Sequence, residues 1–248
     1  MNPTQRLPAP LRVAYTIYAG LAFLPVALGV LTCVLLLPTL GLRRSAARYA
    51  ARGWLVVVGL RLAVRHPARL PASQCVVVAN HASYLDGLVL MAVLPPRFGF
   101  VIKREMSAVP LANFLLERIG SEFVERFDRH KGASDARRVL RNATNGHSLV
   151  FFPEGTFAKR PGLLKFHSGA FHTAARAGCP VMPCVIRGSR AALPAPGLLL
   201  SPGPIDVEFL PALPAVAAGD EQSTAALRDR ARRDILDALG EPDLSQAA

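Results

Sequence analysis

Cys75-Val76-Val77-Val78-Ala79-Asn80-His81-Ala82-Ser83-Tyr84-Leu85-Asp86 is the stretch on which the fold turns. Its first five residues form an unbroken apolar run, the pattern of a buried strand. Residues 87–94, Gly-Leu-Val-Leu-Met-Ala-Val-Leu, read as the body of a helix. Open α/β sheets bind ligands beyond the carboxyl ends of their strands, and His81 stands at such an end. Imidazole is the side chain whose ordinary pKa lets it take and return a proton near neutral pH. Asp86, one helical turn on, is close enough to fold back and fix the ring tautomer, which makes His81 a candidate general base and Asp86 its orienter. A plainer role fits the same letters. Ser83-x-x-Asp86 is a capping-box pattern with Asp in place of Glu, so these residues could simply start the helix.

Outward from this stretch the chain alternates. Strands are predicted over Cys75–Ala79, Phe98–Lys103, Glu122–Arg126, Ser148–Phe152, Pro180–Arg187 and Ile205–Leu210. Helices are predicted over Asp86–Leu94, Leu111–Ile119, Ser134–Asn145, Ser168–Ala177 and Gln222–Leu239. Alternation of this kind implies an α/β fold, a mixed, mostly parallel sheet flanked by helices. This domain is expected over residues 67–240, with a proline- and glycine-rich connection at 188–204 and a disordered tail at 241–248.

Residues 1–66 have another character. No charged residue occurs from Val13 to Leu42, and about 20 apolar residues are enough to cross a bilayer. Pro25 and Pro38 interrupt the run, so a bent helix resting in one leaflet fits as well as a spanning one. Arg43, Arg44, Arg48 and Arg52 follow, which by the positive-inside rule puts this end at the cytoplasmic face. Residues 43–66 read as a basic amphipathic helix on anionic headgroups, with Trp54 at the interface. The expectation is a two-helix membrane anchor, in the inner membrane if the source is bacterial.

The 248 residues suit one domain with a full core. A hydrophobic fraction of 51% together with a net charge of +12 points to an anionic lipid surface. Nucleic acid is not an expected partner, because only 7% of residues are aromatic and no binding motif is present. Cys33, Cys75, Cys179 and Cys184 lie in or beside apolar segments without metal-ligand spacing, as reduced packing residues do. There is no nucleophile elbow, P-loop or dinucleotide fingerprint, no H-E-x-x-H, and no metal is expected.

Three further clusters carry chemistry. Gly120-Ser121-Glu122-Phe123-Val124-Glu125-Arg126 sets an arginine, suited to a phosphate, at the end of a short strand. Alone, it is equally a surface arginine paired to Glu125 or Asp128. Val150-Phe151-Phe152-Pro153-Glu154-Gly155-Thr156 ends an apolar strand in a loop with a carboxylate, a glycine and a hydroxyl. The N–H groups of Gly155 and Thr156 could face an anion there, with Lys159, Arg160 and Lys165 adding positive potential. By itself this piece is also an ordinary Pro-Glu-Gly turn. Gly178 to Ile186 is a proline-framed apolar strand.

Together and in this order, the clusters resemble the glycerolipid acyltransferase family, the PlsC-like lysophosphatidic acid (1-acylglycerol-3-phosphate) acyltransferases. The resemblance covers roughly residues 73–190 and rests on N-H-x-x-x-x-D at Asn80–Asp86, G-x-x-F-x-x-R at Gly120, Phe123 and Arg126, F-P-E-G-T at Phe152–Thr156 with Pro153, and the V-x-P strand ending in Pro183. Residues 100–105, Phe-Val-Ile-Lys-Arg-Glu, look like the family's segment between the first two motifs. The resemblance implies transfer of a fatty acyl group from acyl-CoA or acyl carrier protein, as co-substrate and with no cofactor, to a lysophospholipid hydroxyl. It implies His81 and Asp86 as the catalytic pair, Lys103 and Arg126 as phosphate ligands, and Glu154, Gly155 and Thr156 shaping the acceptor site. One departure stands out: the family usually has a basic residue after F-P-E-G-T, and this chain has Phe157. Glycerol-3-phosphate or a lyso-aminolipid therefore remain alternative acceptors, and a non-catalytic lipid-binding protein is the rival class. Without an activated serine or cysteine, direct attack by the acceptor is expected, Ser83 being the sole nearby alternative.

Overall fold

A computed structural model describes residues 8–108, 110–125, 129–195 and 197–245. The strands are β1 (Leu60–Arg65), β2 (Val76–Ala79), β3 (Phe98–Lys103), β4 (Glu122–Val124), β5 (Ser148–Phe151), β6 (Val181–Arg187) and β7 (Gly203–Phe209). The helices are α1 (Ala9–Leu36), α2 (Leu40–Val57), α3 (Leu85–Val93), α4 (Pro110–Arg118), α5 (Arg129–Thr144), α6 (Gly169–Ala177), α7 (Ser189–Ala192) and α8 (Glu221–Leu239). One seven-stranded sheet runs in the order β1-β7-β6-β2-β5-β3-β4. Its single antiparallel junction is β6 against β7, so β1 and β7 run opposite to the other five. The expected mixed, mostly parallel sheet is present, and the six strands and five helices expected after residue 73 lie within about five residues of their expected bounds, whereas β1 and α7 were not expected.

The central strands are apolar on both faces because both faces are covered. Cys75, Val77 and Ala79 pack with Met182 and Cys184 against Trp54 and Leu55 of α2 and Val89 and Leu90 of α3. Val76, Val78, Val181 and Val185 point the other way, onto Phe171 and Ala174 of α6 and Leu227, Ala231 and Ile235 of α8. Pro183 sits in the interior strand β6, where a missing N–H normally breaks the ladder. It is tolerated because β7 pairs only with Cys184–Arg187, and the Pro183 carbonyl still accepts from Leu210 N–H at 3.0 Å.

The N-terminal region differs from expectation in three respects. The amphipathic helix expected to reach residue 66 ends at Val57; Gly59, at φ +72°, turns the chain, and residues 60–65 become edge strand β1, paired in register with residues 203–208 of β7. The arginines expected on lipid headgroups bond to the protein's own carbonyls. Arg44 donates to the carbonyls of Ile119 (2.8 Å), Gly120 (3.1 Å) and Arg97 (3.2 Å), Arg43 to Leu37 (2.8 Å), and Arg48 to Val93 (3.4 Å). Trp54 is not interfacial. It is 6% exposed, its indole N–H donates to the Ala19 carbonyl at 3.0 Å, and its ring meets Phe23 edge-on. The long-range bonds of Arg44 and Arg48 clamp α2 to the domain.

α1 continues through Pro25 for 28 residues and is, among the described residues, the one helix long and apolar enough to cross a membrane. Its outer side leaves Ile17, Leu21, Leu24 and Leu28 exposed. Its inner side is tied to the domain at both ends. Arg12 donates to Ser201 Oγ (3.0 Å) and the Leu199 carbonyl (2.9 Å), while the Val34 carbonyl accepts from Arg118 (3.3 Å). The segment after α8 also departs from expectation. Residues 241–245 are docked, with Leu244 buried and Leu163 bridged in parallel to Asp243.

Candidate active site

The parallel pairing brings motifs distant in sequence to one rim. β2 lies between β5 and β6, so the residues after Ala79 emerge beside those after Phe151 on one side and beside the end of β6 on the other. Asn80 locks this exit. Its amide donates to the Ile186 carbonyl (2.9 Å) and accepts from Ile186 N–H (2.7 Å), extending the β2–β6 ladder with a side chain. His81 is thereby held at the strand end.

Asp86 contacts both the ring and the backbone at the start of α3. Its Oδ2 lies 2.9 Å from His81 Nδ1 and also accepts from the N–H groups of Ala82 (2.6 Å) and Ser83 (2.8 Å). The carboxylate reaches back as in a capping box and takes the ring in the same grip. An ionised carboxylate only accepts, so the proton lies on Nδ1 and Nε2 carries the free lone pair. Asp86 is fully buried, whereas the His81 side chain keeps 20% of its surface. Ser83 is fully buried too; its hydroxyl donates to the Leu193 carbonyl (2.8 Å) and accepts from Leu85 N–H (3.2 Å).

Aromatic rings enclose the imidazole. Phe152 stacks on it at 4.3 Å, and Phe157 meets it edge-on at 4.7 Å. Tyr84, 59% exposed, packs at a right angle to Phe157 at 4.9 Å. The face of the site is therefore apolar, as a lipid chain or ester requires.

Glu154 is turned inward, toward the backbone. It is 4% exposed, with Oε1 accepting from His81 N–H (2.6 Å) and Oε2 from Leu164 N–H (2.8 Å). Burial pushes its pKa up to about 7, with the two backbone N–H groups opposing the shift. Gly155, at φ +75°, uses its N–H on the Phe152 carbonyl (3.0 Å) rather than offering it to an anion; Thr156 is exposed at the loop tip. Pro153 is buried, and its carbonyl accepts from His167 N–H at 2.8 Å.

Lys103 ends β3, on the same rim beyond β5. Arg126 lies outside the described residues. Phe123 is a buried core side chain. Gly120, at φ +69°, closes α4 with its carbonyl on Arg44, and a Cβ there would crowd that guanidinium and Leu40. Arg190 and Glu241 were invisible to sequence reasoning, because they meet across 51 positions with no local pattern to announce them. Among the described residues no group of three or more His, Cys, Asp or Glu is arranged to hold a metal ion.

A part-exposed imidazole held by a buried carboxylate at the carboxyl rim of an α/β sheet, in a chain that also carries an exposed apolar helix, is the equipment of an enzyme that works on lipids. The model of the family described as Acyltransferase matches residues 61–187, and the chain belongs to that family. The 1-acyl-sn-glycerol-3-phosphate acyltransferase beta of Homo sapiens is 31% identical over 211 residues, covering 80% of this chain and 72% of the relative. The 1-acyl-sn-glycerol-3-phosphate acyltransferase of Neisseria meningitidis serogroup B is 31% identical over 157 residues, 61% of each chain. A lyso-ornithine lipid O-acyltransferase of Pseudomonas aeruginosa is 34% identical over 149 residues, 58% of this chain and 55% of the relative. The crystal structure of the 1-acyl-sn-glycerophosphate (LPA) acyltransferase PlsC from Thermotoga maritima superposes with a TM-score of 0.73 at 19% identity, over 92% of this chain and 97% of that one. The last likeness concerns the fold.

Proposed function

We propose that this chain transfers a fatty acyl group from a thioester, acyl-CoA or acyl carrier protein, to the hydroxyl of a lysophospholipid, with 1-acylglycerol-3-phosphate the favoured acceptor. The observation that carries the reading is the 2.9 Å contact of His81 Nδ1 with buried Asp86, which leaves Nε2 open. As the acceptor oxygen bonds to the thioester carbonyl, its proton passes to Nε2. The imidazolium so formed is stabilised by Asp86, whose Oδ1 is buried and makes no hydrogen bond. The carbonyl then reforms, the C–S bond breaks, and the thiolate leaves with the proton that His81 returns. Attack is direct. The Ser83 hydroxyl is buried and committed at both of its bonds, which argues against an acyl-serine.

Lys103 and Arg126 are proposed to receive the acceptor's phosphate. A second reading, a lyso-aminolipid acceptor, is favoured by Phe157 standing edge-on to His81 where a cation would suit a phosphate better. The protein is proposed to sit at the cytoplasmic face with α1 dipped into one leaflet, since both ends of that helix are bonded to the domain.

The test is release of free thiol from palmitoyl-CoA by purified protein against lysophosphatidic acid, glycerol-3-phosphate and lyso-ornithine lipid. Turnover with the first supports the principal reading, and turnover with the third alone supports the second. No thiol release with any acceptor, from either CoA or carrier-protein thioesters, would leave a lipid-binding protein.

A further inference from the structure

The loop that follows β5 is held by groups that play no part in the proposed chemistry. Arg190 Nη1 donates to two of its carbonyls, Ala158 and Arg160, each at 2.8 Å. The other terminal nitrogen of Arg190 pairs with Glu241 Oε2 at 3.1 Å, and that same oxygen accepts from Gly162 N–H at 2.6 Å. Residues 242–244 then run alongside the loop. Leu163 N–H donates to the Pro242 carbonyl (3.0 Å), and Leu244 N–H to the Leu163 carbonyl (2.9 Å). Arg232 closes the array with bonds to the carbonyls of Leu163 and Leu164, both at 2.9 Å, while pairing with Asp243. Gly162 is at φ +137°, and a Cβ there would fall onto the Leu244 side chain. The contact has no slack.

What this array fixes is the peptide of Leu164. Its N–H is bound by Glu154, whose other oxygen binds the N–H of His81. The chain of contacts thus runs from the segment after α8, through the loop and one buried carboxylate, to the backbone of the proposed base. Phe157, which touches the ring, is carried by the same loop. Sub-ångström placement matters here, because a shift of about 1 Å at a reacting group can cost on the order of 10²-fold in rate.

We propose that residues 241–244, together with Arg190, form a strap that sets the position of His81, with Glu241 and Arg190 as positioning residues for acyl transfer. The proposal rests on His81 being the base. Neither residue touches substrate; both act through the loop.

The experiment measures kcat, KM and the pH profile of kcat/KM, by thiol release from palmitoyl-CoA with the acceptor that wild type turns over, alongside thermal unfolding. Glu241→Ala is expected to lower kcat about ten- to hundredfold, to leave KM for the donor within about threefold, and to move the acidic limb of the pH profile. Glu241→Gln keeps an oxygen for Gly162 N–H and Arg190 and is expected to recover most of that loss. Arg190→Lys keeps the charge but puts one nitrogen where Arg190 uses two in a planar fork, which loosens the contacts to Ala158, Arg160 and Glu241, so it falls between them; it also serves if Glu241→Ala fails to fold. Arg230→Ala, on an exposed pair of α8, is expected to match wild type. Wild-type kcat and pH profile in Glu241→Ala or Arg190→Lys would overturn the strap, even if their melting temperatures fell. His81→Ala separates the two claims: an inactive His81→Ala beside a fully active Glu241→Ala sinks the strap alone, whereas an active His81→Ala sinks the base.

Discussion

The rim around His81 and the helix α1 solve opposite problems. At the rim, the polar groups are closed on one another: Asp86 takes three donors on a single oxygen, Glu154 takes two, and Asn80 bonds in both directions. Two atoms there are left open, the outward imidazole nitrogen and the buried Oδ1 of Asp86. Along α1 the polar contacts are few and confined to the inner side, while a row of leucines and isoleucine faces outward without a protein partner. Water is a poor solvent for such a row, and lipid is a good one. A region whose bonds are nearly all made within it, around one accessible ring, advertises chemistry; a region whose apolar surface is left over advertises its surroundings.

If that contrast is real, changes at the rim should move turnover and leave membrane binding alone, and changes on α1 should do the reverse. The largest effect expected is from His81→Ala, about 10²–10⁴-fold in kcat with vesicle binding unchanged, checked by thiol release and flotation. Asp86→Asn should follow closely, since an amide in that place can present its N–H to the ring and favour the wrong tautomer; near wild-type kcat would show that the carboxylate only caps α3. On the helix, Leu21→Glu with Leu28→Glu should reduce the fraction bound to anionic vesicles about tenfold or more, while turnover of a dispersed short-chain acceptor stays within about twofold. Loss of both together would mean the two regions are not separable.

Two smaller effects sharpen the picture. Glu154 has its pKa raised to about 7 by burial, so between the usual carboxylate pKa near 4.5 and that value the folded protein holds a proton the unfolded chain has lost. Its contribution to stability is full below pH 4.5 and declines as the pH rises through 7, by a few kcal/mol at most. Glu154→Gln should flatten this part of the stability–pH curve in denaturant titrations at pH 5 to 8. Trp54→Phe, which removes one buried hydrogen bond between the first two helices, should cost about 1–2 kcal/mol of unfolding free energy and leave kcat alone.

The elements legible in the sequence were those whose patterns are local. Val76–Ala79 and Val181–Arg187 are buried runs, Asn80 to Asp86 is a strand-loop-helix signature, and 28 residues of α1 carry no hidden information beyond their hydrophobicity. What was misread depended on partners far away. Arg44 is written like a headgroup-binding arginine, and only the approach of residues 97 and 119–120 turns it inward. Residues 60–65 continue the basic-apolar texture of α2, and only the pairing with β7 makes them a strand. The backbone partners of Glu154, residues 81 and 164, are likewise announced by no local pattern. The strap is the extreme case: its contacts span from Arg190 to Glu241, with no periodicity connecting them.

Between the last residue of α2 and the first of β1 there are two residues, Val58 and Gly59, and β1 is already part of the sheet. α2 is in turn bonded to the apolar α1 through Trp54 and to the domain through Arg44 and Arg48, so the three are fixed to one another. With α1 in a leaflet, as proposed, a protein so joined would ride on its bilayer like a hull with a fixed draught, the height of the imidazole above the acyl chains set once, at folding. Under that reading the reach of a lipid, as much as its headgroup, would bear on whether its alcohol meets the ring.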